Sequence, residues 1–220
     1  MPNEATRTSS GSTPRAAAVL FDLDGTLTRP YFDFAAIRAE IGLAPESRLP
    51  ILESIELMEP LQRKQAEEIL LRREREAALA SELWDDAHAV LAALRTAGLI
   101  LGLMTRNSRV SAETVIAKHG LKLDRVHTRE DGPVKPSPEP VLALCAQLGV
   151  APVAVWVVGD YLFDIQSGQA AGATTALMIG DAAVPDYADQ ANHVIRRLGE
   201  LPALLGLGAR LPRTSAPGLP

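Results

Sequence analysis

The chain is predicted to be an α/β protein with a doubly wound, mainly parallel sheet and a small all-helical insertion. Three observations carry this. Four short aliphatic runs, "AAAVLFDL", "LILGLMT", "VAVWVVGD" and "TTALMIG", show no clean alternation with polar residues, as expected of strands covered on both faces. Helical patterns closed by glycine lie between strand-like runs. One stretch, residues 31–83, breaks this alternation and reads as helix throughout.

In chain order, the opening "MPNEATRTSSGSTPR" is rich in Ser, Thr, Pro and Gly and lacks the hydrophobic core of a signal sequence, so it reads as a disordered lead. The first strand follows and runs into "DLDGT". The helical block comes next. Its longest piece begins at Pro60, a first-turn position suited to proline, and Glu68 and Arg72 stand in the favourable i,i+4 order. Its dense charge reads as a solvated face. In "DDAHAVLAALRTAG" the expected N-cap is Asp85 or Asp86, with Val90, Leu91 and Leu94 on the inward face and Gly98 past the end. "VSAETVIAKHG" stops at Gly120, with His119 in its last turn as a contact to the helix dipole. "SPEPVLALCAQLG" has Pro138 near its start and stops at Gly149. The tail "RLPRTSAPGLP" resembles the lead in composition. The expected organisation is a lead at 1–15, a core at 16–30 and 84–206, an insertion at 31–83 and a flexible tail at 207–220.

A chain of 220 residues, 47% hydrophobic, is long enough for a sizeable core plus an insertion. The net charge of −5 and pI near 5.4 argue against a general binder of nucleic acid or anionic membranes. No apolar run approaches the ~18 residues of a membrane span. The single cysteine, Cys145, lies in an apolar helical pattern, which suits a buried, inert thiol and leaves no internal disulfide. A cytoplasmic location is expected. Nothing in the sequence sets the oligomeric state, and a monomer is compatible with it.

The chemistry-bearing residues fall at strand ends, where open parallel sheets bind ligands. Asp22 and Asp24 end the first strand, Thr105 the second, and Asp160 and Asp164 follow a third. Lys135 sits in the loop "DGPVKPSPEP". Singly, each has an ordinary reading: a turn or N-cap aspartate, a helix start at Asp164, a solvated lysine. "GQAAG" reads as close helix–sheet packing. Jointly, the ordinary readings weaken, because a buried cluster of unpaired carboxylates is costly. A hard cation such as Mg²⁺ would neutralise it.

"DLDGT", the Thr of "LMTRN", the Lys of "VKP" and "GDYLFD" resemble, in that order, the four motifs of the haloacid dehalogenase superfamily. The helical block is similar to that family's small cap. The resemblance implies a Rossmann-like core and a phosphatase that uses Mg²⁺. It implies Asp22 as nucleophile, forming an aspartyl-phosphate, and Asp24 as general acid–base. It also implies phosphoryl contacts from Thr105 and Lys135. Mg²⁺ would lie on the Asp22 carboxylate, the Asp24 backbone carbonyl and Asp160, with Asp164 ligating directly or through water. An acid at Asp24 points to phosphoester chemistry, because the dehalogenases lack one there. "RNS" after Thr105 departs from the common pattern, which leaves Arg106 and Asn107 either reaching the substrate phosphate or pointing into solvent. Arg38, Arg48, Arg63 and Lys64 are the cap's candidates for an anionic substrate group. The expected substrate is a small phosphorylated metabolite. A sugar phosphomutase and a non-catalytic phosphate-binding module are the alternatives.

Overall fold

The computed structural model describes residues 15–44, 47 and 49–207. Nearly all of the expected lead and tail, and Arg48, lie outside the described residues.

Six parallel strands form one sheet in the order β3-β2-β1-β4-β5-β6. They are β1 (Ala18–Phe21), β2 (Ile100–Met104), β3 (Arg125–His127), β4 (Val155–Gly159), β5 (Thr174–Met178) and β6 (His193–Ile195). The four strands expected from aliphatic runs are all present. The two others, β3 and β6, have three residues each and hold one buried side chain apiece, so they leave no apolar run to read.

Helices cover both faces. On one face α4 (Ala87–Thr96) and α5 (Arg109–His119), with the short α8 (Leu201–Leu204), pack on Val19, Phe21, Leu101 and Leu103. On the other, α6 (Glu139–Leu148) packs Val141 and Leu144 against Leu20 and Val157. α7 (Leu162–Ala171) follows β4. Alternate residues of β1 thus enter opposite cores, which is why the whole strand is apolar.

The insertion holds α1 (Phe34–Glu40), α2 (Ile51–Glu56) and α3 (Pro60–Ala80). It has its own small core of Ile37, Ile41, Ile55, Ala66 and Leu70. Its two crossings pair at a neck, where Arg29 N–H donates to the Glu82 carbonyl at 2.8 Å and Trp84 N–H to the Leu27 carbonyl at 3.2 Å. The far half of α3 leaves the cap core, and Ala78 joins the main core beside α5.

Four local expectations change. Asp86 does occupy the N-cap of α4, but its side chain caps nothing there; it accepts from Gly199 N–H at 2.7 Å instead, while Asp85 pairs with Arg29 at 3.0 Å. Arg72 pairs with Glu40 of α1 rather than with Glu68, as does Arg73 at 2.7 Å, because α1 lies across that face of α3. α7 begins at Leu162, not at Asp164. His119 shares a hydrogen bond with the Ser81 hydroxyl at 2.9 Å, across to the end of the insertion.

Candidate active site

β1 ends at Phe21, and the ladder continues one residue further: Asp22 N–H donates to the Val158 carbonyl at 2.8 Å. Asp22 is therefore held level with the end of β4. Leu23 turns into the core and is fully buried, so Asp22 and Asp24 emerge on the same side. The chain then wraps into a tight turn in which Leu27 and Thr28 N–H both donate to the Leu23 carbonyl at 2.9 Å. Gly25 has φ +81°, and a Cβ there would stand 2.1 Å from an Asp160 carboxylate oxygen. The glycine is needed for both reasons. The room it leaves is taken by the Asp160 carboxylate.

Neighbouring strand ends complete the site. β4 delivers Asp160, whose carboxylate accepts from the Thr26 hydroxyl at 3.3 Å. β2 delivers Thr105, which is buried; its Oγ accepts from Asn107 N–H at 3.1 Å, leaving the hydroxyl proton free to donate. Lys135 is buried, and its Nζ lies 2.6 Å from both Asp22 and Asp164. The second oxygen of Asp164 accepts from Tyr161 N–H at 3.1 Å, so Asp164 also caps α7. Asp164 thus sits in the first turn of α7 while its other oxygen faces Lys135.

Ligand oxygens of Asp22, Asp160 and Asp164 lie within 4.8 Å of one another. Three carboxylates face one ammonium there, and the site fits a hard divalent cation. The electrostatics agree. Burial, with the charge of Asp164, lifts Asp22 to about 6 despite Lys135. Burial and the charges of Asp22 and Asp164 push Asp160 well above the usual carboxylate range. Burial works against the Lys135 ammonium, but Asp164 and Asp22 outweigh it and raise its pKa. The carboxylate of Asp24 stands outside this group. It accepts from Asn107 Nδ2 at 2.5 Å, and burial together with the charge of Asp22 lifts it to about 7.

A cavity of about 410 Å³ opens above these groups, between core and cap. Phe32, Phe34, Ile37 and Leu52 line it from the cap, Tyr161 and Phe163 from the core. Of the cap cations, Arg38 reaches this cavity, but it donates to the backbone carbonyls of Leu49, at 2.7 Å, and Ser47. Arg63 and Lys64 do not line it, and Arg63 caps its own neighbourhood at Glu56. Arg106 lines the cavity and is largely covered, with its guanidinium already partnered. Its Nη2 donates to both oxygens of Glu53, at 2.9 and 2.6 Å, and its Cζ lies 5.0 Å from the centre of the Phe163 ring. Glu53 and Glu74 escaped the sequence reading because charged residues on a charged helix carry no distinguishing signal. Thr26 was legible as part of D-x-D-G-T, though its partner was not.

The family model for haloacid dehalogenase-like hydrolases matches residues 16–172. An N-acetylmuramic acid 6-phosphate phosphatase from Pseudomonas aeruginosa is 37% identical over 183 residues, covering 74% of this chain and 81% of that protein. A phosphoglycolate phosphatase from Xylella fastidiosa is 32% identical over 186 residues, covering 74% and 80%. The solved structure of a hydrolase from Pseudomonas syringae shares the fold at TM-score 0.74 and 19% identity, covering 88% of this chain and all of that one. The chain belongs to the haloacid dehalogenase-like hydrolases, among the phosphatases of that superfamily.

Proposed function

We propose that this phosphatase hydrolyses a small phosphorylated sugar through an aspartyl-phosphate at Asp22, with Mg²⁺ held by Asp22, Asp160 and the Asp24 backbone carbonyl. Asp164, whose oxygen lies with those of Asp22 and Asp160, would add its charge to the site. The observation that carries the reading is the separation of two acids one residue apart. Asp22 lies among the oxygen ligands and beside Lys135, while the carboxylate of Asp24 is turned away to Asn107.

An Asp22 oxygen attacks phosphorus as the bond to the leaving oxygen breaks, and Asp24 gives that oxygen its proton. Asp24 then takes a proton from water as the water attacks phosphorus and frees Asp22. A carboxyl group with a pKa of about 7 is matched to both tasks at neutral pH. Lys135 and the Thr105 hydroxyl stabilise the phosphoryl oxygens. When bound, Mg²⁺ supplies positive charge that keeps Asp22 ionised and offsets repulsion between two anions.

Residues 31–83 act as the lid over the site and exclude water from it. A sugar suits the cavity better than a bare phospho-acid. The walls are aromatic and aliphatic, and Arg38 and Arg106, the arginines lining it, already have partners. Relatives bearing phosphatase names for a sugar phosphate and for phosphoglycolate frame the choice. The test is kcat/KM with Mg²⁺ across amino-sugar 6-phosphates, hexose 6-phosphates, phosphoglycolate and an aryl phosphate. Sugar phosphates should lead phosphoglycolate. The reverse order overturns the substrate class, and inertness toward all of them overturns the activity.

A further inference from the structure

Residues 106–108 form the loop after β2, and each is held by a different group. The Arg106 guanidinium is taken by Glu53 of α2. Ser108 N–H, at the N-cap of α5, donates to Glu74 of α3 at 3.1 Å. Glu74 is only 3% exposed and also pairs with Arg129. Between these anchors, Asn107 N–H is fixed on Thr105 Oγ, and its Nδ2 donates to Asp24. Asn107 is the hydrogen-bond partner found for the Asp24 carboxylate among the described residues.

We infer that the cap positions the catalytic acid: Glu53 and Glu74 grip the two residues flanking Asn107, and Asn107 sets the Asp24 carboxylate. Asn107, Glu53 and Glu74 are positioning residues, and the inference rests on the acid–base reading of Asp24. The physical basis is restraint on both sides of the donor. A side chain held by one hydrogen bond keeps its orientation only while its donor is fixed, and anchors on both neighbours, the Arg106 side chain and the Ser108 backbone, fix a donor better than one. The anchors differ in kind. Glu74 is buried, on the half of α3 that packs with α5. Glu53 is one-third exposed, and its pair with Arg106 can part and reform as the cap moves. Arg106 Nη1 also donates to the Lys135 carbonyl, so the same grip reaches the segment that carries the lysine.

The test is a double-mutant cycle between Glu53→Gln and Asn107→Ala. Glu74→Gln is set aside because it strips Arg129 of a buried partner and endangers the fold. Thermal melting of each variant checks that the fold is kept. With a sugar phosphate, Glu53→Gln should lower kcat about tenfold with little change in KM, and Glu53→Asp should restore part of it. First-turnover release of the leaving group from an aryl phosphate, which needs little protonation, should be spared. The double variant should be no slower than Asn107→Ala alone, because both act through one carboxylate. Effects that multiply, or a change confined to KM, overturn the grip. Asp24→Asn is run in the same assays. If it too spares the aryl first turnover while slowing the sugar phosphate, the acid reading stands and the grip is judged separately. If it shows no leaving-group dependence, the acid reading itself fails.

Discussion

The sheet edge and the cap contribute to the same cavity in opposite ways. At the sheet edge each candidate site group follows its strand directly: Asp22 after Phe21, Thr105 after Met104, Asp160 after Gly159. The register of β1 against β2 and β4 fixes these positions, because Phe21 pairs with both Leu103 and Val158. Among the described residues the cap has a core of five buried side chains, and it meets the cavity with side chains such as Phe34 that stay 60% exposed. The lesson is a division of tolerance. The proposed chemistry sits where a hydrogen-bonded ladder leaves little freedom. On the proposed function, substrate contact falls to the cap, whose surface can be changed without touching the ladder, and the inferred link between the two is a few carboxylates.

The largest expected effect breaks the sheet edge. Asp22→Asn should lower turnover on the order of 10⁴-fold or more, the scale of nucleophile knockouts. Retention of more than a tenth of the activity would show that the reaction does not pass through this residue. Chelation should come next: excess EDTA should abolish activity and Mg²⁺ should restore it, with Asp160→Asn raising the Mg²⁺ concentration required. Full activity in EDTA would mean that Lys135 alone manages the three carboxylates. A cap change should instead cost stability. Ile37, 3% exposed in the cap core, should lose roughly 2–4 kcal/mol on truncation to Ala. A calorimetric scan that moves by less than about 1 °C would mean the cap core is already loose. The smallest effect is at the cavity wall. Phe34→Ala should raise KM for the natural substrate a few-fold and leave kcat and melting unchanged. A fall in kcat alone would place Phe34 nearer the chemistry than the comparison allows.

Much of the sheet edge was legible because its constraints are local. Two acids one residue apart, a glycine, a hydroxyl after an apolar run and a lysine before proline each reflect a backbone or charge requirement within a few residues. The short strands β3 and β6 were not legible, since three residues with one buried side chain make no pattern. Neither were Glu53 and Glu74. Their partners, Arg106 and Ser108, lie 53 and 34 residues away, and pairing over such a distance depends on how the cap folds back. For the same reason Arg72 chose Glu40 over its helical neighbour Glu68. The helices of the cap could be read, but not what they touch.

The raised pKa of Asp24 adds a stability test of the sheet edge. Folded Asp24 holds its proton to about 7, against an unfolded value of about 4. Across that window the folded state binds more protons than the unfolded state, so the contribution of this group to stability falls as pH rises from about 4 to 7. Asp24→Asn, which does not titrate, should therefore be stabilised relative to wild type by a margin that grows over this range in EDTA. A margin independent of pH would contradict the burial of this carboxyl group.

The most direct measurement of the division of labour between the two acids is the intact mass of acid-quenched protein after mixing with an aryl phosphate and Mg²⁺. Asp24→Asn should accumulate a species heavier by one phosphoryl group, because the leaving group departs unaided while water is no longer activated, with turnover down about 10²–10⁴-fold. Asp22→Asn should show no such species at any time. A phosphorylated Asp22→Asn protein formed at the wild-type rate, or an Asp24→Asn protein that turns over at full speed with no adduct, would contradict the assignment of nucleophile and acid to these two residues.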